Sequence, residues 1–330
     1  MVRTFTVMPT TWRKFPVILF GLAVATALTF ALAGANVSRA RMLAGDTCDH
    51  RAPQVRSPRA SSLRVGTYNI RAGVSVTRFA EGVKALLPYV DIAGLQEVNS
   101  KEKARELHNL ESRGWHFWRQ YRTHIPQHPQ SGGAEQVPVV WRADRFVCTY
   151  AGPFLASDIH DMKGELPTWD ADQRQRHWFT VIHLVDRVTG QRLSIINVHV
   201  IHGAVTGGRP APGRARHWHV YVDQLTNLIA KVKKERAYGR VLVTGDFNAG
   251  WVADEAHRHR DLPFRTFRAI EFKSMWATER PKGAKGTHGA ALIDQVYGRE
   301  EAASAEVLFG IDAYSDHLPA VARYDIPSVS

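Results

Sequence analysis

Short apolar runs recur along the chain from about residue 63 onwards. Runs of this length, rich in β-branched and aromatic residues, are typical of β-strands. The pattern predicts strands at 64–70, 92–98, 137–141, 179–185, 193–200, 240–244, 292–297 and 318–324.

Apolar residues at three- and four-residue spacing predict helices between some of these strands. One stripe lies near residues 79–86 and a second near 222–232. The residues of the two stripes are Phe79, Val83 and Leu86, then Val222, Leu225, Ile229 and Val232. Mixed strands and helices predict a layered α/β domain, and spacing alone leaves the number of sheets open. No long linker divides the chain after residue 60, so we expect one domain over 61–330.

The N-terminal segment contains an uncharged stretch at 15–35 that follows Arg13 and Lys14. As a helix it would be about 30 Å long, which is enough to cross a bilayer. The stretch ends in small residues that fit a signal-peptidase site. We therefore predict a signal peptide or an N-terminal membrane anchor in 1–35 and a linker in 36–60. Either one predicts an extracytoplasmic domain that is secreted or membrane-anchored.

Charge and cysteine content narrow the function only slightly. The formal net charge is +12, and about half of the excess lies in the first 60 residues. A basic balance favours polyanions and anionic membranes but does not decide between them. The two cysteines, Cys48 and Cys148, are too few for a structural zinc module. In an exported protein they predict one disulfide, and in the cytosol two free thiols.

Polar side chains stand at the ends of several predicted strands, where the pleat does not need them. They are Asn69, Glu97, Asn197, His199, Asp246 and Asn248, and Asp294, Ser315, Asp316 and His317 extend the set. A buried strand holds its terminal side chain rigidly, and the following loop exposes it. Each residue alone is most simply a turn former or a hydrogen-bonded side chain. The ordered set instead predicts an active site.

The order of these motifs resembles the endonuclease/exonuclease/phosphatase family, over about residues 63–324. The motifs are YNI at 68–70, LQEV at 95–98, NVH at 197–199, GDFN at 245–248, ID at 293–294 and SDH at 315–317. The resemblance implies a four-layer α/β sandwich in which two packed mixed sheets are flanked by helices. It also implies a metal-dependent phosphoesterase.

The resemblance further implies a metal site. Glu97 would be the main Mg²⁺ ligand, with Asn69 and Asp316 close to the same ion or ordering its waters. Hard oxygen ligands suit Mg²⁺, which keeps waters while it neutralises a phosphate oxygen. Mn²⁺ is the alternative ion.

Two histidines would flank the scissile phosphate in the same family pattern. They are His199 and His317, and each would be oriented by a carboxylate. Asp294 would serve His317, and Glu135 would serve His199. A carboxylate fixes the imidazole tautomer and raises its affinity for a proton, so the ring can protonate a leaving oxygen.

The GDFN motif supplies the last two implied groups. Asp246 would orient or deprotonate the attacking water, and Asn248 would hydrogen-bond the phosphoryl oxygens. The family pattern leaves open whether Asp246 or His317 is the general base.

Departures from the family pattern concern the substrate. Gly133 stands where the deoxyribonuclease I branch has an aromatic residue that packs into the minor groove, which argues against nonspecific duplex binding. His199 argues against the apurinic endonucleases, which lack this histidine. The loop after His199 carries Arg209, Arg214 and Arg216, which are either substrate-phosphate contacts or a solvated surface.

We therefore predict an extracytoplasmic, Mg²⁺-dependent phosphodiesterase that uses in-line attack of water. A nuclease is the first prediction, ahead of a sphingomyelinase-like or inositol-phosphate phosphoesterase. A catalytically inert surface-binding protein of the same fold is the third. The expected partners are a phosphodiester substrate, with nucleic acid before phospholipid, and the membrane if the N-terminal helix is retained. No protein partner is implied.

Overall fold

The computed structural model describes residues 48, 58–119, 136–157, 177–279, 286–311 and 314–328. The stretch at 15–35 and Glu135 lie outside the described residues, so what was predicted for them stays a prediction, as do the boundaries at 35 and 60. Among the residues that are described, no helix has the length and apolar character needed to span a membrane.

The described strands form two six-stranded sheets and one short hairpin. In chain order they are β1 (Ser61–Asn69), β2 (Ile92–Gln96), β3 (Trp115–Trp118), β4 (Val139–Arg142), β5 (Phe146–Ser157), β6 (His177–Asp186), β7 (Arg192–His199), β8 (Val205–Thr206), β9 (Arg209–Pro210), β10 (Arg240–Asp246), β11 (Lys273–Ser274), β12 (Asp294–Gly298), β13 (Ser304–Val307) and β14 (Ala320–Ile326). The first sheet has the order β13-β14-β1-β2-β4-β3 and the second β11-β12-β10-β7-β6-β5. Both sheets are mixed.

Five α-helices are described. They are α1 (Val76–Leu86), α2 (Lys101–His108), α3 (Ala215–Glu235), α4 (Trp251–His257) and α5 (Pro263–Arg268). Side chains of Ser75 and Ser100 cap the first turns of α1 and α2 by accepting hydrogen bonds from backbone N–H groups. Such caps satisfy backbone donors that have no partner within the helix.

The two sheets pack face to face, and helices cover their outer faces. The inner layer joins both sheets, with Val65 and Ile92 of the first sheet against Ile195 and Leu242 of the second. Separate outer clusters hold α1 and α2 on the first sheet and α3 and α5 on the second. This arrangement confirms the predicted four-layer sandwich.

Strand register brings the polar motif residues to one end of the two sheets. In the first sheet β1 runs parallel to β2, and Asn69 is opposite Gln96, the residue before Glu97. In the second sheet Asp246 is opposite His199 on one side and Asp294 on the other. The backbone alone therefore places these residues together.

The predicted elements differ from the structure in several places. On α3, Val222 and Ile229 are only half-buried, while the neighbouring Tyr221 and Leu228 are fully buried. The apolar face is therefore rotated from the predicted stripe. The prediction missed β3, β5, β13, the short strands β8, β9 and β11, and helices α2, α4 and α5. Strand β5 contains Gly152 and Pro153, and a proline is tolerated there because β5 is an edge strand.

Cys48 and Cys148 form a disulfide. Cys148 lies near the start of β5 and is almost fully buried. The bond therefore attaches residue 48 to the edge of the second sheet, and it is the first of the two alternatives predicted for these cysteines.

Candidate active site

Seven of the predicted site residues converge where the two sheets meet. Strands β1 and β2 lead to two of them, and β7, β10 and β12 carry or lead to most of the others. The seven are Asn69, Glu97, His199, Asp246, Asn248, Asp294 and His317. The pairs that connect them involve both sheets, so the cluster depends on the whole sandwich.

Asn69 links the two halves of the cluster. Its Nδ2 donates to Glu97 Oε1 at 3.0 Å and to Asp246 Oδ2 at 3.1 Å. Both neighbours are carboxylates that accept hydrogen bonds when ionised, so the amide nitrogen faces them. The amide oxygen of Asn69 is buried and has no hydrogen-bond partner among the residues that the structure describes. A buried oxygen of this kind is a suitable ligand for a cation or its waters.

Glu97 is held by backbone geometry as well as by Asn69. Its φ of 63° is in the left-handed region, which is uncommon for a residue with a side chain and directs the carboxylate away from the strand. The backbone N–H of Ala72 donates to Glu97 Oε2. Burial raises the pKa of Glu97, but the charge of His199 and the hydrogen bonds from Asn69 and Ala72 outweigh it, so the pKa is lowered. Glu97 is therefore ionised at neutral pH.

His317 and Asp294 form a buried pair. His317 Nδ1 donates to Asp294 Oδ2 at 2.8 Å, and His317 Nε2 lies 3.9 Å from Asp246 Oδ2. Burial lowers the pKa of His317, but the carboxylates of Asp294, Asp246 and Asp316 outweigh it and raise the pKa to about 10. The imidazole is thus protonated at neutral pH and directs one N–H into the cluster.

Asp246 and Asn248 belong to one tight turn after β10. The backbone N–H of Asn248 donates to Asp246 Oδ1 at 2.8 Å, and Asn248 Nδ2 donates to Val200 O at 2.8 Å. Burial and the nearby charge of Asp294 raise the pKa of Asp246, while His317 and His199 oppose the shift. A carboxylate with raised pKa is better suited to accept a proton than a fully solvated one.

His199 faces the same cluster without a close hydrogen bond to it. Its Nε2 lies 3.6 Å from Asp246 Oδ2 and 3.9 Å from Glu97 Oε1. A quarter of the side chain is exposed, so a ligand in the cleft could contact it.

Asp316 lies at the rim and is more exposed than Glu97 or His199. Its side chain is 41% exposed, and its Oδ2 is 3.6 Å from Arg71 Nε. The neighbouring Ser315 points inward instead, since its hydroxyl donates to Asn69 O at 2.8 Å. A metal-ligand role for Asp316 stays a prediction.

The three arginines after His199 lie on the surface. Arg209 is exposed, and its guanidinium donates to His257 Nδ1 at 3.3 Å. Arg214 directly precedes α3 and is exposed, and Arg216 in the first turn is half-buried. Their contact with a substrate stays a prediction.

Asn197, the other polar residue of the NVH motif, joins the two sheets instead of facing the cleft. It is completely buried, and its Oδ1 accepts hydrogen bonds from Gln96 Nε2 at 2.7 Å and Thr244 Oγ1 at 3.1 Å. Its Nδ2 donates to the carbonyls of Leu95 and Pro138 at 2.8 and 2.9 Å. All its hydrogen-bonding capacity is therefore used within the fold.

Several residues that support the site have no sequence motif. Thr287 Oγ1 accepts hydrogen bonds from the backbone N–H groups of Ile293 and Asp294, both at 3.1 Å. The exposed ring of His288 lies 4.6 Å from that of His317. Buried Lys103 contacts the loop that donates to Glu97. Only their positions in the fold reveal these contacts.

The cluster contains two chemically different halves. Among the described residues, the ligand atoms of Asp246, Asp294 and His317 lie within 4.8 Å of one another. A hydrogen bond already occupies one nitrogen of His317, so this half is suited to hold and transfer a proton. Glu97 and Asn69 offer oxygen atoms, which suit a hard divalent cation.

Comparisons with known proteins relate the chain to one family. The model of the Endonuclease/Exonuclease/phosphatase family matches residues 66–317. A comparison with curated protein sequences gives no match.

Similar solved structures share the fold. An endonuclease/exonuclease/phosphatase of Bacteroides vulgatus is 20% identical with a TM-score of 0.58, over 81% of this chain and 100% of that one. A Bacteroides thetaiotaomicron mannosyl-6-phosphatase is 17% identical, with a TM-score of 0.56 over 80% and 99% of the two chains. D. rerio TDP2, complexed with a single-strand DNA product, is 14% identical, with a TM-score of 0.53 over 80% and 98%.

Proposed function

The chain belongs to the endonuclease/exonuclease/phosphatase family, and from this premise we propose that it is a divalent-metal-dependent phosphodiesterase with nucleic acid as its substrate class. The observation that carries the proposal is the junction of the two sheets at Asn69. There the side-chain amide of Asn69 donates hydrogen bonds to Glu97, a carboxylate whose pKa is lowered, and to Asp246. Asp246 belongs to the half of the cluster that is suited to proton transfer. A phosphoester needs both halves, because charge must be neutralised while a proton reaches the leaving oxygen.

The residues present fit a Mg²⁺ or Mn²⁺ ion. Glu97 and Asn69 would hold it, because the Glu97 carboxylate is partly accessible and, in the described part of the chain, the buried Asn69 Oδ1 has no other partner. When bound there, the ion would neutralise charge on a phosphoryl oxygen. Asp316 at the rim would bind through a water molecule or hold Arg71 in place.

The protein's own residues account for the movement of protons. His317 presents its Nε2–H toward Asp246 and is fixed from behind by Asp294. In this proposal His317 donates that proton to the leaving oxygen or to a phosphoryl oxygen. Asp246 orients the attacking water and accepts its proton, while the water oxygen forms a bond to phosphorus and the bond to the leaving oxygen breaks. His199 and the Asn248 side chain contact the remaining phosphoryl oxygens.

Nucleic acid is the favoured substrate for two reasons. About half of the formal net charge of +12 lies beyond the first 60 residues, and this mildly basic balance suits a polyanion without deciding between nucleic acid and an anionic membrane. In addition, a solved structure of the same fold carries a single-strand DNA product. A phosphomonoester is the second candidate, because another neighbour is a mannosyl-6-phosphatase. We also propose an extracytoplasmic location, which the Cys48–Cys148 disulfide supports.

A substrate panel tests this assignment. The full chain is offered single-stranded DNA, duplex DNA, RNA, sphingomyelin, sugar phosphates and inositol phosphates, with Mg²⁺ or with a chelator. His317→Ala protein serves as the control for contaminating activity. We expect Mg²⁺-dependent cleavage of single-stranded DNA or RNA that His317→Ala lacks. Hydrolysis of sphingomyelin or of phosphomonoesters, with nucleic acids untouched, would replace the nuclease assignment.

A further inference from the structure

Lys103 is a buried lysine beneath the loop that follows β1. It lies on α2, its side chain is only 2% exposed, and a phenyl ring, that of Phe79, lies 5.7 Å from its Nζ. Lysine is almost never this buried unless it is paired with an opposite charge. Within the described part of the chain, its ammonium group forms hydrogen bonds to backbone carbonyls rather than a direct ion pair. Some other interaction must therefore offset the cost of its burial.

The partners of Lys103 are the carbonyl oxygens of Arg71 and Ala72. Nζ lies 3.3 Å from Arg71 O and 2.9 Å from Ala72 O. The backbone N–H of Ala72 donates to Glu97 Oε2. Arg71 C=O and Ala72 N–H are the two ends of one peptide group, and in a trans peptide they point in opposite directions. A single peptide group thus lies between the ammonium of Lys103 and the carboxylate of Glu97.

The Arg71–Ala72 peptide dipole is aligned favourably with both charges, because its oxygen faces the ammonium of Lys103 and its N–H faces the carboxylate of Glu97. The positive charge at the carbonyl oxygen polarises the peptide group and strengthens the hydrogen bond that its N–H donates. A charge-assisted hydrogen bond to a carboxylate is already among the stronger hydrogen bonds in proteins. The carboxylate of Glu97 is consequently held at one oxygen by Ala72 and at the other by Asn69.

We propose that Lys103 is a positioning residue that orients Glu97 for divalent-cation binding through the Arg71–Ala72 peptide group. The inference rests on the proposed function, because it takes Glu97 as the metal ligand. Lys103 does not contact the cation or the substrate. It fixes the loop whose N–H sets the direction of the Glu97 carboxylate, as partners behind a metal ligand commonly do.

The sign of the change in metal affinity separates this role from a purely electrostatic one. If Lys103 acted only as a nearby positive charge, its removal would tighten cation binding because like charges repel. If it positions Glu97, removal releases the loop and weakens binding. Loss of a partner behind a metal ligand typically weakens metal binding by about 10- to 100-fold.

The experiment measures binding of Mn²⁺ alone to the full chain by electron paramagnetic resonance, with Mg²⁺ as competitor. Lys103→Met keeps the length and apolar character of the buried stem but removes the donors. Lys84→Met is the matched control, since Lys84 is an exposed lysine in the last turn of α1. We expect Lys103→Met to weaken Mn²⁺ binding by about tenfold or more and Lys84→Met to leave it unchanged. Unchanged or tighter binding by Lys103→Met would overturn the proposal.

Three further experiments keep the outcomes distinct. A purely structural role would lower the melting temperature equally with and without Mn²⁺, whereas a positioning role reduces the stabilisation that Mn²⁺ adds. If Lys103→Met does not fold, hydrogen exchange of the Ala72 amide in the wild type decides, because an unprotected amide contradicts the proposed contact.

The Glu97→Gln variant separates failure of the metal site from failure of the role proposed for Lys103. If Glu97→Gln binds Mn²⁺ normally, the proposed metal site itself fails. If only Glu97→Gln loses Mn²⁺, the metal site stands and the role of Lys103 fails.

Discussion

Short hydrogen bonds hold the charged side chains of the cleft in place, and several of these bonds involve a backbone N–H group. Asp294 holds His317 at 2.8 Å, and its own backbone N–H is bonded to Thr287. Preorganisation of this kind matters because a proton donor must keep its direction while charge develops on the substrate.

The first prediction concerns this pair. His317→Ala should lower turnover by about a hundredfold or more, as expected for loss of a general acid. Asp294→Asn should lower it through His317, because the amide can no longer stabilise the imidazolium. The double variant should therefore be little worse than His317→Ala alone. Steady-state kinetics on one substrate measures turnover for the two single variants and the double variant. Asp261→Asn is the control, because Asp261 forms an exposed ion pair with Arg260. Additive losses would mean that the two residues act separately.

The sequence identified most of these residues but not how each is used. The structure brings Asp246 of the GDFN motif and His317 of the SDH motif into one cluster, and their roles stay predictions. Asn197 lies two residues from His199 yet serves packing, because its partner Gln96 is 101 residues away in the other sheet. Lys103 was missed for the same reason, since its partners become neighbours only when the loop after β1 folds over α2.

At the scale of the elements, hydrogen bonds between the sheets support the position of the site. The amide of Asn197 on β7 bonds to the end of β2 and to β10. Cutting these bonds would leave several buried polar groups without partners, at a cost of about 1–3 kcal/mol each.

The second prediction follows from that network. Asn197→Ala should lower the free energy of unfolding by about 3 kcal/mol or more, because the partners of the amide stay buried. Asn109→Ala is the control, since Asn109 makes an exposed bond to Glu106, and it should change stability by less than about 0.5 kcal/mol. Urea unfolding followed by tryptophan fluorescence measures both. Equal effects would show that Asn197 does not join the sheets energetically.

The third prediction uses a buried carboxylate behind the second sheet. Glu235, at the end of α3, accepts hydrogen bonds from His183, Ser194 and Lys231. Burial alone would raise its pKa, but these partners outweigh it and lower the pKa from 4.5 to about 2. A lowered carboxyl pKa adds stability that is complete above the unfolded-state value and is lost as pH falls toward 2.

Glu235→Gln should therefore be less stable than wild type at pH 7 by about 2 kcal/mol, less than the full shift implies because the glutamine side chain keeps part of the hydrogen bonding. The difference should shrink as pH falls from about 4.5 to 2. Urea titrations across this range measure it. Glu271→Gln, at an exposed ion pair with Arg299, should show almost no difference. A stability gap for Glu235→Gln that is independent of pH would contradict the lowered pKa.

The elements themselves were predicted where their pattern was strong. Central strands such as β2 are buried throughout and form continuous apolar runs. Strand β5 was missed because half-exposed residues interrupt its apolar pattern. Helix α2 was missed because only three of its eight residues are buried, and one of them is Lys103. Edge strands and short helices depend on tertiary contacts more than on their own periodicity.

At the scale of the whole molecule, the cleft is bordered by the loop after β7, which carries the arginines. This loop is held against α4, since Gly208 has a φ of 74° and a Cβ there would lie 2.3 Å from Ala253 O. Arg209 and Arg214 stand exposed on it. The loop therefore carries an exposed basic surface that is fixed against α4, and its contact with a substrate is a prediction.

The fourth prediction tests that surface. Arg209→Gln combined with Arg214→Gln should weaken nucleic-acid cleavage and flatten its salt dependence, because fewer phosphate contacts release fewer counterions. Hydrolysis of a small bis-aryl phosphodiester should change little. Lys233→Gln with Lys234→Gln is the control, because these exposed lysines lie at the other end of α3. The measurement is the cleavage rate across a salt series, and an unchanged salt slope would remove the loop from the substrate path.

The measurement that tests the central assignment most directly is hydrolysis of bis(p-nitrophenyl) phosphate by wild type and Glu97→Gln, with Mg²⁺ and after chelation. The assignment predicts that chelation abolishes activity and that Mg²⁺ restores it. It also predicts that Glu97→Gln with Mg²⁺ is at least about a hundredfold slower than wild type, because the carboxylate that holds the ion is lost. Circular dichroism confirms that the variant is folded. Activity that survives chelation, or a Glu97→Gln protein as fast as wild type, would contradict a metal-dependent phosphodiesterase at this site.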